Sequence, residues 1–270
     1  MIILIGHGYI GSAFAKELRK RCYHFSHFCH EELVGFENAR RIFRTFRPDL
    51  VINCAAFIPR PSVSLCDQNP AETIKGNVLF PSSICDAAAD QGAAFAHIST
   101  ACLWSDGELH SEDDPPQRAF TGHCGFYVGT KMLAEEMVRR HPEHFIWRIR
   151  LPFDEYDDPR NYLRKLANFK EVYDHDNSLS HRGDFVRACL DLWDVRANYG
   201  TYNVVNPGSV KATDAIARLL DKGICHAPPK IIRFAQGDSK VSAKKLLAAG
   251  VEMRPVEEAL DEALNNWRCS

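Results

Sequence analysis

Ile2-Ile3-Leu4-Ile5 runs without a polar break into Gly6-His7-Gly8-Tyr9-Ile10-Gly11, and an amphipathic stretch from Ser12 to Arg21 follows. A strand with one wet face alternates apolar and polar residues, whereas a strand covered on both faces reads as a continuous apolar run. The run therefore predicts the first strand of a parallel α/β sheet, delivered into a glycine turn and a helix. Each glycine has a separate duty in such a turn. Gly6 permits the tight bend, Gly8 lets the backbone come close to a pyrophosphate, and Gly11 lets the helix pack on the strand. The helix N-terminus faces the negative charge, and Tyr9 and Ile10, within the glycine loop, are expected among the cofactor contacts. This is the fingerprint of a dinucleotide site in its structural context.

The alternation continues along the chain. A second strand is expected near Cys22 to Phe25, a helix at Ala39 to Arg47, and a third strand at Leu50-Val51-Ile52-Asn53 after the break at Pro48-Asp49. A long helix is expected from Cys66 to Gln91, interrupted near Asn77 to Pro81. Ala94 to Ile98 reads as the fourth strand, Gly125 to Arg140 as a helix, and Phe145 to Ile149 as the fifth strand. Beyond Pro152 the pattern loosens. Helices are expected at Arg160 to Phe169, Arg182 to Val195, Lys211 to Asp221, Ser242 to Leu247 and Pro255 to Trp267, with strands at Gly200 to Val205 and Lys230 to Phe234. The fold class is α/β, a doubly wound parallel sheet of the Rossmann kind with a smaller C-terminal part. Residues 1–152 form the dinucleotide-binding domain, rejoined by part of 174–205, and residues 153–173 and 206–270 form the substrate-binding part.

The second strand normally ends in an acidic residue that holds the ribose 2′-hydroxyl of NAD. Ser26 and His27 stand there instead and could meet a 2′-phosphate, so NADPH is the expected cofactor. Glu31 and Glu32, close by, keep NADH admissible. Asn53, Ala55 and Ala56 lie at a strand's carboxyl end, where small residues let a cofactor approach the backbone. Arg60, also after a strand end, is placed where a planar donor fork could meet a substrate phosphate.

Composition excludes other classes. The net charge of −2 and 45% hydrophobic residues describe an ordinary globular chain without the basic excess of a nucleic-acid binder. No apolar stretch approaches the ~18 residues of a membrane span, and no leader pattern precedes Ile2, so the expected setting is the cytoplasm, away from membranes. Ten cysteines without a Cys-x-x-Cys pair read as free thiols. His24, His27 and His30 are close in sequence, but no neighbouring spacing completes a metal site, and none is expected.

The chemistry concentrates between Thr100 and Lys131. Tyr127 and Lys131, four residues apart on a helix, share a face. A fixed positive charge lowers a phenol's pKa from about 10, so the pair can pass a proton near neutrality. Thr100 lies at the carboxyl end of the fourth strand, where open α/β sheets place their reacting groups.

In order, Gly6/Gly8/Gly11, Asn53-Cys-Ala-Ala, Thr100 and Tyr127-x-x-x-Lys131 resemble the extended short-chain dehydrogenase/reductases. The match is closer to the nucleotide-rhamnose synthase, or epimerase-reductase, branch, relatives of the dTDP-4-dehydrorhamnose reductases. It is carried by Arg60-Pro-Ser-Val-Ser-Leu-Cys66, Glu72-Thr-Ile-Lys-Gly-Asn77-Val, Thr100-Ala-Cys102, Glu112-Asp-Asp-Pro, Phe120-Thr-Gly, Asp158-Pro-Arg-Asn-Tyr-Leu-Arg-Lys165 and Asn206-Pro-Gly. The glycine loop is one residue shorter than that family's usual spacing. The resemblance implies that Tyr127 is the proton donor, that Lys131 lowers its pKa and holds the cofactor ribose, and that Thr100 hydrogen-bonds the ketone. It also implies that Cys102 and Lys165 move protons in an epimerisation. Asn77 and Pro152 would join the cofactor contacts, and Arg60, Asn161, Thr100, Cys102 and Lys165 the substrate contacts. The expected enzyme epimerises an NDP-4-keto-6-deoxy-glucose at C3 and C5 and then reduces C4 with NADPH to give an NDP-L-rhamnose. A reductase alone and a catalytically silent NADP-binding subunit are the alternatives, and a homodimer is an admissible assembly.

Overall fold

The computed structural model describes residues 1–60, 62–122, 124–233 and 237–268. It divides into two compact units: residues 1–100, 118–148 and 198–202, and residues 101–117, 149–197 and 203–270.

The first unit is built on a six-stranded sheet. In chain order its strands are β1 (Ile2–Ile5), β2 (Phe25–Phe28), β3 (Leu50–Asn53), β4 (Ala94–Thr100), β5 (His144–Ile149) and β6 (Gly200–Asn203), and in space they run β6-β5-β4-β3-β1-β2. β1 pairs in parallel with β2 and β3, and β3 with β4. The helices are α1 (Tyr9–Lys20), α2 (Phe36–Phe46), α3 (Pro70–Ile74), α4 (Phe80–Asp90) and α5 (Gly125–Val138). Period-two alternation in the strands distributes them over both faces. Ile3, Ile5, Val51, Phe95 and Ile146 form one cluster with Phe43 of α2, Ile84 of α4 and Val138 of α5. Trp147, next along β5, stacks on Phe14 of α1 with ring centroids 6.0 Å apart.

The structure differs from the expected bounds in three places. β2 begins at Phe25, three residues later than expected, because Arg21, Cys22 and Tyr23 are spent closing α1: their amides donate to Glu17 O, Arg19 O and Leu18 O, and Cys22 takes φ 57. Ser26 and His27 therefore lie inside the strand rather than after it. The break in the long helix is a π-helical stretch over Lys75–Leu79, joining α3 to α4. The first unit is also narrower than 1–152. Only 198–202 returns to it, as most of β6, and residues 101–117 and 149–152 belong to the second unit.

The second unit is held by short strand pairs and five helices, α6 (Tyr162–Asn168), α7 (Arg182–Asp194), α8 (Ala212–Asp221), α9 (Lys244–Ala248) and α10 (Val256–Asn265). Leu163 and Leu166 of α6, Ile216 and Leu219 of α8, and Leu260 and Leu264 of α10 share its apolar core with Phe153 and Leu179. Lys230–Ile232 pairs in parallel with Glu171–Tyr173, and the expected continuation to Phe234 falls outside the described residues. No helix among the described residues is long and apolar enough to cross a membrane.

Candidate active site

The glycine loop has the shape that its sequence requires. Gly6 sits at φ +100, and a Cβ there would lie 2.9 Å from the Ala55 amide nitrogen. A Cβ on Gly11 would meet Gly6 O at 1.8 Å, while one on Gly8 would meet nothing within 4 Å. The first two positions admit no side chain, and the third is open. The first intrahelical bond of α1 runs from Ser12 N–H to Gly8 O at 2.9 Å, so the amides of the preceding turn, Tyr9 and Ile10 among them, point out of the helix end. This is an anion cradle, sized for backbone approach. His27 reaches the loop from β2, with Nε2 2.9 Å from Gly6 O and its ring 3.8 Å from that of His7. Burial lowers the His27 pKa, the Gly6 carbonyl opposes that, and His7 and Arg19 add to it.

At the carboxyl end of β3, Asn53 is wholly buried and its Oδ1 accepts from Ala55 N–H at 3.0 Å. Its Nδ2 lies 3.2 Å from His97 Nδ1, and His97 Nε2 lies 2.9 Å from Lys131 Nζ. Lys131 Nζ also donates to Ile98 O at 2.7 Å. Asn53 and His97 are thus joined to Lys131 of α5, and two strand ends are tied to one helix. Lys131 is only 2% exposed. Burial pulls its pKa down to about 8, partly offset by Glu135 and Cys54. Thr100, buried, is the last residue of β4, and Tyr127, half-buried, lies one turn before Lys131 on α5. Ser99, its neighbour, is committed elsewhere: its hydroxyl donates to Glu135 Oε1 at 2.6 Å, and Glu135 is paired with Arg148 at 2.7 Å.

Asn77, expected among the cofactor contacts, is buried with its amide spent on the chain, Oδ1 accepting from Phe57 N–H and Nδ2 donating to Phe57 O. It clamps the segment after β3 to the helical stretch that carries it. Arg60 is exposed on that segment, and Ala55 and Ala56 are half-buried at its start.

In the second unit Arg150 is the residue that sequence reading missed. Its Nη1 donates to Cys102 Sγ at 2.7 Å and its Nη2 to Asn177 Oδ1 at 2.6 Å. A guanidinium so placed can receive charge that develops on sulfur when the thiol gives up its proton. Position at the end of β5 was the one available signal. Pro152 lies in the short strand Pro152–Phe153, paired with Ser180–His181 in this unit. Lys165, on α6, is half-buried, and burial lowers its pKa against the opposing charge of Asp158.

Asn161, expected to touch substrate, does not have the atoms to spare. It is fully buried, its Oδ1 accepts from Leu163 N–H to cap α6, and its Nδ2 donates to Asp154 and to Tyr156 O. Its part is to hold the helix that carries Lys165. Among the described residues no group of three His, Cys, Asp or Glu side chains is arranged to hold a metal ion.

The model of the RmlD substrate binding domain family matches residues 1–269. The chain belongs to that family. This RmlD-family chain is 25% identical over 233 residues to the bifunctional dTDP-4-dehydrorhamnose 3,5-epimerase/dTDP-4-dehydrorhamnose reductase of Arabidopsis thaliana, covering 79% of this chain and 75% of that protein. It spans about a third, 34%, of the length of the trifunctional Arabidopsis thaliana rhamnose-forming proteins that it also matches. Its fold is that of the L780 UDP-rhamnose synthase of Acanthamoeba polyphaga mimivirus, with TM-score 0.87, 17% identity, and 98% and 99% of the two chains covered. The dTDP-4-dehydrorhamnose reductase of Bacillus anthracis, solved with NADP, gives TM-score 0.80, 20% identity, and 98% and 96% coverage.

Proposed function

We propose that the chain is an NADPH-dependent nucleotide-sugar enzyme that converts an NDP-4-keto-6-deoxy-glucose to an NDP-L-rhamnose by 3,5-epimerisation followed by 4-keto reduction. One observation supports the reductase half: the buried amine of Lys131 donates to Ile98 O of β4, and Tyr127 lies one turn earlier on the same helix. The first unit takes the cofactor, with Gly6, Gly8 and Gly11 at the pyrophosphate. Ser26 and His27 stand on the adenosine side, and NADH is admitted less well. When bound, that cofactor supplies hydride to C4. The second unit takes the nucleotide sugar, and relatives that act on such sugars support this assignment.

The residues then divide the work. Tyr127 and Thr100 hydrogen-bond the C4 ketone oxygen, which acidifies the protons on C3 and C5 because an enolate formed at either position leaves its charge on that same oxygen. Cys102 and Lys165 remove a proton from one face and return one to the other, with Arg150 donating to the sulfur. When hydride reaches C4, Tyr127 gives its proton to the oxygen and Lys131 supports the phenolate left behind. Nothing in this scheme requires a membrane or a nucleic acid, and the cytoplasm is the proposed setting.

Turnover in D2O tests the whole scheme. Deuterium at C3 and C5 of a reduced product is expected. Reduced sugar free of deuterium would leave a reductase that needs a separate epimerase, and no loss of NADPH absorbance with any keto-sugar would leave an NADP-binding subunit without catalysis.

A further inference from the structure

Hydrogen-bond direction in the Asn53–His97–Lys131 network is set from one end. Ala55 N–H donates to Asn53 Oδ1, which leaves only the NH2 group of that amide to face His97 Nδ1. Nδ1 must then be the lone-pair nitrogen, so the proton of a neutral ring sits on Nε2, 2.9 Å from Lys131 Nζ. An ammonium has three donors and no acceptor, and would oppose that N–H. An amine accepts it and still donates to Ile98 O. If Lys131 is charged, the ring must move its proton to Nδ1, and the opposition passes to Asn53. The charged state always carries one donor facing a donor, and the neutral state carries none.

We propose that His97 is a positioning residue for Lys131, making loss of the Nζ proton and the change of His97 tautomer a single coupled event. The ring itself stays neutral: it is 1% exposed, and burial, with Lys131 beside it, holds its pKa well below the ordinary value. The titratable groups that act on Nζ among the described residues are Glu135, one turn on and paired with Arg148 and Arg139, and Cys54 after β3, while Tyr127 lies one turn back on the helix. None of them reverses the donor conflict. The donor conflict loosens the Nζ proton in the same direction as burial, which brings the Lys131 pKa down to about 8. The value of this to catalysis rests on the reading of Lys131 as the partner of Tyr127, but the coupling itself is a property of the chain without substrate.

Nuclear magnetic resonance on the full chain tests it without turnover. Histidine ring 15N shifts and lysine 13Cε shifts are followed from pH 6.5 to 10.5, with His97 and Lys131 assigned by the signals lost in His97→Gln and Lys131→Arg. In the wild type the His97 proton should move from Nδ1 to Nε2 at the same midpoint at which Lys131 titrates, below that of the exposed lysines. In His97→Gln, whose amide oxygen can turn to accept from the ammonium, the Lys131 midpoint should rise by a unit or more. One fixed His97 tautomer across the Lys131 titration would overturn the proposal using the wild type alone, as would an unmoved midpoint in His97→Gln. If both results are as expected and Tyr127→Phe still reduces the ketone at the wild-type rate, the coupling stands and the catalytic reading fails.

Discussion

In the proposed scheme Tyr127 carries the proton that completes reduction, whereas exchange at C3 and C5 needs only that the ketone oxygen be held, which Thr100 would continue to do. Tyr127→Phe should therefore slow loss of NADPH absorbance by about 10²- to 10⁴-fold while deuterium still enters the substrate in D2O. Equal loss of both would mean that enolate formation also depends on the phenol. Lys165→Met should have the opposite effect, losing deuterium incorporation while a sugar already epimerised is reduced at the ordinary rate. Tyr127 and Lys131 were readable because their spacing alone puts them on one helix face. Asn53 was readable as a strand-end residue, but its partnership with His97 was not, since the two are 44 positions apart. The intrachain bonds of Asn77 and Asn161 were hidden for a related reason: an asparagine in a motif looks the same whether its amide meets a ligand or a backbone carbonyl. Arg150 went unnoticed because a cation's importance to Cys102 depends on where a different strand end delivers it.

At the scale of elements, α6 owes its start to Asn161, whose side chain satisfies a first-turn amide and three acceptors behind it. Asn161→Ala should cost about 1–3 kcal/mol, seen as a lower midpoint in urea, and should lower deuterium incorporation more than reduction because Lys165 rides on that helix. β3 came out at its expected residues because a proline break and a wholly apolar run leave it no freedom. β2 did not, because Phe25-Ser-His-Phe28 is half-buried throughout and lacks the apolar pattern on which strand assignment depends. The interruption of the long helix was visible as a fault in its period, but sequence could not show that the fault is a π-helical stretch that brings Asn77 onto Phe57.

Across the whole molecule, acid should act first on the second unit. Burial would raise the Asp184 pKa, but His181, Arg254 and Asn206 outweigh it and hold the carboxyl well below the ordinary range. His181, whose Nε2 lies 3.6 Å from the carboxylate, brings Glu155 down to about 2. Both pKa values are lower folded than unfolded, so their stabilisation is complete above about pH 5, past the unfolded values, and is lost progressively as pH falls to about 2 and below. The melting temperature should drop steeply across that interval. Asp184→Asn should flatten the drop and cost about 2–3 kcal/mol at pH 7, short of a fully buried pair because Arg187, which also pairs with Asp184, reaches solvent. The alternation of strands and helices made the sheet legible from sequence, while the second unit, held by strand pairs two or three residues long, offered little pattern to read. The return of 198–202 to the sheet bears on biosynthesis. β5 ends at Ile149, and its outer neighbour does not exist until some fifty residues later, so a growing chain presents an aromatic-rich unpaired edge, Phe145 and Trp147 included, whose eventual cover comes from Tyr199 and Tyr202. Cutting the gene near codon 150 should accordingly give inclusion bodies rather than an isolated nucleotide-binding half, and extending the cut past codon 203 should recover part of the yield.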